Sequence, residues 1–367
     1  MPRKLETDRW LFLSTLALCL VGAVMVFSAS AVTAREQHGN GYYFLLRQLA
    51  WLTIGFAGMF AMINFDYRRL RKQALVFASL AAVFLMLVGV FFLDKSHATH
   101  RWIRLGPASL QPSELAKLAV ILFLAWFLEM RRRPGDSGVN DVYQTLLPAA
   151  GLVALLSGLI LLEPDLGTTL EIFVIALGML YVAGLSEKYF LTAFAVSLPI
   201  IYLAIVRVSY RYDRVMAFLH PDMDPQGRGF QLMQSLIAVG SGGFSGVGLM
   251  ESKQKLFYLP EAHTDFIYAV LCEELGFLGA ALVLGLFAVY TWRGLRAAFH
   301  APDDLGRLLA LGITLMVASQ ALINLSVVLG MMPTKGIPLP FVSYGGSSLF
   351  VMLLASGVLL NISQQST

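Results

Sequence analysis

Ten stretches of about 20 mostly apolar residues run through this chain, and they limit what it can fold into. They cover residues 10–34, 44–65, 74–93, 113–130, 145–163, 167–185, 189–206, 265–292, 308–332 and 344–362. Inside a bilayer every backbone N–H and C=O needs a partner within its own segment, so runs of this kind are helices. The expected fold is therefore an all-α polytopic membrane protein with about ten transmembrane helices. The composition agrees: 14% of the residues are charged and 57% are hydrophobic, where a soluble domain carries about 25% charged residues. The net charge of +4 is small and scattered over loops, which argues against a nucleic-acid surface. Cys19 and Cys272 both sit in apolar runs, so neither a disulfide framework nor a cysteine metal cluster is expected. The first run begins with Arg3, Lys4 and Arg9 and contains Ala29-Ser30-Ala31, like a secretory signal. It is longer than the usual h-region of about 7–15 residues, so it reads as a retained helix.

Basic residues in short loops set the orientation. With the N-terminus inside, the inner segments hold fourteen: Arg3, Lys4, Arg9, Arg68, Arg69, Arg71, Lys72, Arg131, Arg132, Arg133, Lys188, Arg293, Arg296 and Arg307. The short outer loops hold Arg35, Lys95, Arg101, Arg104 and Lys335. Both termini are thus expected in the cytoplasm, with the large loop 207–264, between helices 7 and 8, outside. The whole chain, 1–367, reads as a single membrane domain. Within the loop, GFQLMQSLIAVGSGGFSGVGL is apolar and rich in glycine, which suits a membrane-surface or partly re-entrant segment. Its stretch GSGGFSGVG offers little side-chain mass to pack and is expected to be mobile.

Ionisable residues at span edges are costly and point to function, although snorkelling and helix capping explain some of them. In RWIRLGPASLQPSELAKLAV, Ser113 reads as an N-cap, and Glu114 and Lys117 share a helix face. In LLEPDLGTTLEIF, Glu163-Pro164-Asp165 makes a tight outer turn, with Glu171 deeper in the span. In PEAHTDFIYAVLCEELG, His263, Thr264 and Asp265 enter span eight, and Thr264 or Asp265 is a candidate cap. Glu273 and Glu274 follow about two turns further in, and at least one needs an interior partner. Lys117 and Asp265 lie at matched depth on different spans and are expected to pair. MMPTKGIPLPFVSYGGSS carries Lys335, Ser343 and several Pro and Gly residues before the last span, a composition typical of site-lining loops. All four groups fall on the outer side. They describe a polar cavity with cations (Arg101, Arg104, Lys117, Lys335) and carboxylates (Glu114, Asp165, Asp265). No zinc spacing, P-loop, dinucleotide fingerprint or nucleophile elbow is present. An enzyme or a transporter for an amphiphilic, anionic substrate fits these residues.

RWIRLGPASLQPSELAKL, EPDLGT, PEAHTDFI, EELG and LPFVSYGGSS occur in this order, and the chain resembles the SEDS family (shape, elongation, division, sporulation) nearly end to end. PEAHTDFI, PTKGIPLPFVSYGGSS and MVFSAS are more similar to the division branch than to the elongation branch. The resemblance implies a SEDS-type bundle in the bacterial cytoplasmic membrane, polymerising lipid II into glycan strands on the outer face. It implies a class B penicillin-binding protein as the transpeptidase partner, with other division proteins. The family's essential aspartate falls on Asp265, which would act as general base in an inverting transfer that releases undecaprenyl pyrophosphate. Glu114, Lys117, Asp165, His263, Thr264 and Ser343 fall on supporting or substrate-binding positions. Arg101, Arg104, Lys117, Lys335 or a divalent cation (Mg2+ or Mn2+) would receive the leaving anion. The alternatives are a lipid II flippase, the elongation-type polymerase, or a division scaffold.

Overall fold

The computed structural model of the protein describes residues 7–94, 100–105, 108–133, 136–224, 227, 229–256 and 258–366. Arg3, Lys4 and Lys95 of the charge comparison lie outside these residues. Twelve α-helices appear among the described residues. They are α1 (Arg9–His38), α2 (Tyr43–Asn64), α3 (Gln73–Leu93), α4 (Pro112–Arg131), α5 (Leu147–Leu162), α6 (Leu166–Val182), α7 (Glu187–Val206), α8 (Ser209–Leu219), α9 (Phe230–Ser241), α10 (Ile267–Phe299), α11 (Asp304–Val328) and α12 (Gly346–Ser363). Eight helical segments are long and apolar enough to cross a membrane; α6 is shorter than these, and α4 carries Glu114, Lys117 and Glu129. A small antiparallel hairpin, β1 (Ile103–Leu105) and β2 (Ala108–Leu110), leads into α4.

Local chemistry starts and stops the helices. Asp8 caps α1 by accepting from the amides of Trp10 and Leu11, and Gly39 closes the helix in the left-handed region at φ 70°. Asp303 caps α11 through the amide of Gly306. Two capping expectations fail. Gln111 precedes α4 with Pro112 in its first turn, so Ser113 lies inside the helix, where its buried hydroxyl has no partner. α10 starts after Phe266 with no side-chain cap, so neither Thr264 nor Asp265 serves there.

Small residues let the helices approach closely, as packing within a bilayer requires. A Cβ on Gly55 or Gly357 would collide with the α12 or α2 residue facing it, and one on Gly22 with the backbone at Phe341 and Val342. Ion pairs gather at one end of the bundle. Arg293 pairs with Asp8 at 2.5 Å, Arg71 with Glu129 at 2.6 Å and with Asp303 at 3.3 Å, and Arg132 with Asp304. The residues singled out for chemistry lie toward the other end.

The loop 207–264 contains α8 and α9 and then grips α10. α10 is broken at Gly276, whose φ of 63° and ψ of −161° suit only glycine. The amides of Val247 and Gly248 donate to the carbonyls of Glu273 and Glu274, and those of Phe277 and Leu278 donate to Gly243 and Phe244. A Cβ on Gly242 or Gly246 would strike the α10 backbone. The segment expected to be loose is therefore glycine-rich because two backbones touch there. The two glutamates are held by the same loop. Glu274 accepts from Ser28 at 2.6 Å and pairs with buried Lys255 at 2.7 Å. Glu273 accepts from the Ser252 hydroxyl and from the amide of Lys253.

Candidate active site

Three spans converge on Lys117. Its ammonium is wholly buried and lies 3.1 Å from Glu114 on its own helix, 3.2 Å from Glu171 on α6 and 2.6 Å from the Gln320 carbonyl oxygen on α11. The Glu114 contact is the pairing that the three-residue spacing predicts. The expected pair with Asp265 is absent among the described residues. Matched depth says nothing about which face each helix turns inward, and α6 and α11 meet Lys117 first. Its three N–H donors are consumed, so it has none left for a leaving group.

Asp165 caps α6. Its carboxylate accepts from the Thr168 amide at 3.0 Å and hydroxyl at 2.8 Å, with Gln111 at 3.4 Å. Arg101 spans the turn before it, donating to the carbonyls of Glu163 and Pro164. Glu163 is fully buried with both carboxylate oxygens unpartnered; burial, then the neighbouring Asp165 charge, pushes its pKa up to about 8. Arg104 lies on β1 with an exposed side chain.

The segment 263–265 is fastened by its carbonyls. His263 accepts from the Tyr344 amide at 3.0 Å, Thr264 from the Ser343 hydroxyl at 2.6 Å, and Asp265 from the Asn324 side chain at 2.8 Å. The His263 ring packs against Phe44 and Tyr344, and burial pushes its pKa down. Ser343 also accepts from the Leu339 amide, and the Thr264 hydroxyl binds Glu261. Ser343 therefore holds the loop before α12 in place, a use that turn chemistry alone does not reveal.

Asp265 differs from these neighbours. Its carboxylate has no hydrogen bond or ion pair among the described residues, although it is partly buried. Its backbone alone is tied down. Burial first, then the charges of Glu261 and Asp165, raise its pKa to about 7 against the opposing pull of Arg214 and Arg101. Lys335 is partly buried and likewise unpaired among the described residues, and burial lowers its pKa. Sequence reasoning missed Gln320, Asn324 and Arg214. The first two sit in an apolar run as polar residues four apart, which was a usable signal; Arg214 reads as one loop charge among several. Among the described residues no three carboxylate, imidazole or thiolate groups converge as a metal-binding set. Mg2+ commonly relies on substrate phosphates and one or two carboxylates.

Residues 9–367 match the profile of the FtsW, RodA and SpoVE family, described as "Cell cycle protein". The chain is 43% identical to a probable peptidoglycan glycosyltransferase FtsW of Trichlorobacter lovleyi, over 98% of this chain and 94% of that one. It is 42% identical to stage V sporulation protein E of Bacillus subtilis, over 99% of each. Among solved structures it resembles a chain of a peptidoglycan synthase complex that coordinates polymerization and crosslinking, with a TM-score of 0.78 and 34% identity over 98% of each chain. It also resembles the rod-shape-determining protein RodA of Thermus thermophilus, with a TM-score of 0.72 and 29% identity over 99% of this chain and 98% of that one.

Proposed function

We infer the function of this chain from its family: it belongs to the FtsW, RodA and SpoVE cell cycle proteins, and it is a peptidoglycan glycosyltransferase of cell division. Its substrate is lipid II. The sugar 4-hydroxyl of the acceptor attacks the anomeric carbon of the donor, and undecaprenyl pyrophosphate leaves. One inverting displacement needs a base on the attacking side and charge stabilisation on the leaving side.

The observation that carries the assignment of the base is Asp265, a partly buried carboxylate free of any partner among the described residues. Of the other carboxylates nearby, Glu114 and Glu171 are committed to Lys117 and Asp165 to Thr168, while Glu163, also unpartnered, is fully buried. A pKa of about 7 suits a base working near neutral pH. Pyrophosphate leaves as an anion and needs no protonating acid if cations receive it. Arg101 and Arg214, whose charges reach Asp265, and unpaired Lys335 are the best placed. Lys117 organises the bundle instead of touching the leaving group. The active end faces the outer side of the cytoplasmic membrane, and a class B penicillin-binding protein crosslinks the product.

Asp265→Asn keeps the size of the side chain and removes the base. Purified with its transpeptidase partner and given lipid II, the variant is expected to lose about 10²–10⁴-fold in polymer formation, with partner association intact. Wild-type protein that makes no polymer but moves lipid II across liposomes would establish the flippase reading instead. The identity to the sporulation protein favours one further possibility, sporulation-specific synthesis. Depletion separates the two: loss of septa in growing cells supports division.

A further inference from the structure

Asn324 is 2% exposed, about one turn before the C-terminal end of α11, and it has no place in the chemistry described above. Its side-chain nitrogen donates to two main-chain carbonyls at once, that of Asp265 at 2.8 Å and that of Ile337 at 2.7 Å. Its oxygen is buried without a partner, so the amide is held here for what it donates. One turn earlier on the same face, Gln320 donates to the Pro338 carbonyl at 2.9 Å and accepts from Lys117. These two amides fasten the 336–338 segment to α11, and Asn324 fastens Asp265 to the same rail. The gap between the two is narrow: a Cβ built on Gly336 would lie 3.1 Å from a carboxylate oxygen of Asp265. Gly336 holds φ 56°, so the segment turns its backbone toward the carboxylate there.

We propose that Asn324, braced by Gln320, is a positioning residue that sets the distance between the Asp265 carboxylate and the 336–338 segment, and so fixes the aim and the dryness of the base. The inference rests on the reading of Asp265 as base. Tyr344 and Ser343 hold the two preceding carbonyls, but both belong to the loop itself. Among the described residues, Asn324 alone ties Asp265 and that loop to a membrane-embedded helix through one planar group. Misplacing a reacting group by about 1 Å costs on the order of 10²-fold in rate, so this distance controls kcat.

The test uses the full chain with its penicillin-binding partner and lipid II, with kcat and KM measured from about pH 5 to 9. Asn324→Leu keeps the volume, adds no charge and removes both donors. Buried carbonyls at Asp265 and Ile337 then lose their partner, the gap widens and water enters. The expected result is a kcat lower by about 10- to 100-fold, KM for lipid II within about threefold, and an acid limb moved to lower pH. The charged groups around Asp265 are Glu261, Asp165, Arg101 and Arg214, and the substitution leaves all four in place, so the limb reports the gap. Gly336→Ala lies on an exposed residue and tests the same gap from the other side if Asn324→Leu does not fold. Alanine is strained at φ 56°, so the limb and not kcat is read for this variant: its methyl crowds the carboxylate and the limb moves to higher pH. A kcat within threefold of wild type, or a lower active fraction with an unmoved limb, overturns the proposal. Polymer that survives in Asp265→Asn overturns the base and the positioning together. Polymer lost in Asp265→Asn while the other two variants match wild type overturns the positioning alone.

Discussion

Lys117 lies between two carboxylates with its side chain wholly shielded from solvent. Removing the cation leaves both anions uncompensated, and breaking a buried pair in this way typically costs about 3–5 kcal/mol. Lys117→Ala is therefore expected to lower the unfolding temperature measured in detergent, and any loss of polymer has to be normalised to folded protein. Glu163 titrates in the opposite sense to a salt-bridged acid. An unfolded glutamate ionises near 4.5, whereas the folded protein holds the proton to about pH 8. The native state binds more protons across this window, so stability falls as pH rises from about 4.5 to 8. Glu163→Gln mimics the protonated form and is expected to flatten that slope: similar melting at pH 5, and a higher melting temperature than wild type at pH 9. At this scale the sequence shows which residues are costly. It reveals the Glu114–Lys117 pair because that contact is local to one helix. It does not reveal Glu171 and Gln320 as the other partners, because the rotation of one span against another is set by packing across the whole bundle.

At the scale of elements, each of the apolar runs is legible because a chain in lipid must satisfy its own backbone, and a helix does so locally. The break in α10 is not legible. ELGFLGA continues an apolar run, and what opens the helix at Gly276 is the distant 243–248 segment, which takes over its hydrogen bonds. Gly246 sits at φ 81° with its absent Cβ aimed at the Glu274 carbonyl. Gly246→Ala is expected to destabilise by about 1–3 kcal/mol and to reduce polymer formation. Gly240, helical and facing open space, is the internal control: Gly240→Ala is expected to stabilise by about 0.5–1 kcal/mol. Thermal unfolding of the two variants side by side checks both signs.

Across the whole molecule, Arg71, Arg132 and Arg293, three of the basic residues assigned to the cytoplasm, meet Asp8, Glu129, Asp303 and Asp304 at one end of the bundle. The site occupies the other. Ser241→Cys, exposed at the end of α9, is expected to react with a membrane-impermeant maleimide in intact spheroplasts, and Gln365→Cys only after permeabilisation. The native Cys19 and Cys272 are buried and form a silent background. The reverse pattern would invert the orientation and move the site to the cytoplasm. Two contacts already described also govern how the site end can move. α1 meets α10 through Asp8–Arg293 at the bottom and Ser28–Glu274 near the top. The rungs are 20 residues apart on α1, about 30 Å at 1.5 Å per residue, and 19 residues apart on α10, across its break at Gly276. Two antiparallel rods joined by rungs of matched spacing behave as a braced ladder. Sliding one rod along the other by a turn would break both rungs together, so piston motion is closed to α10. Gly276 lies between the two rungs, so the upper segment of α10 is held by the Glu274 rung on one side and by the Asn324, Ser343 and Tyr344 ties to residues 263–265 on the other, and Asp265 meets the substrate from a clamped mount.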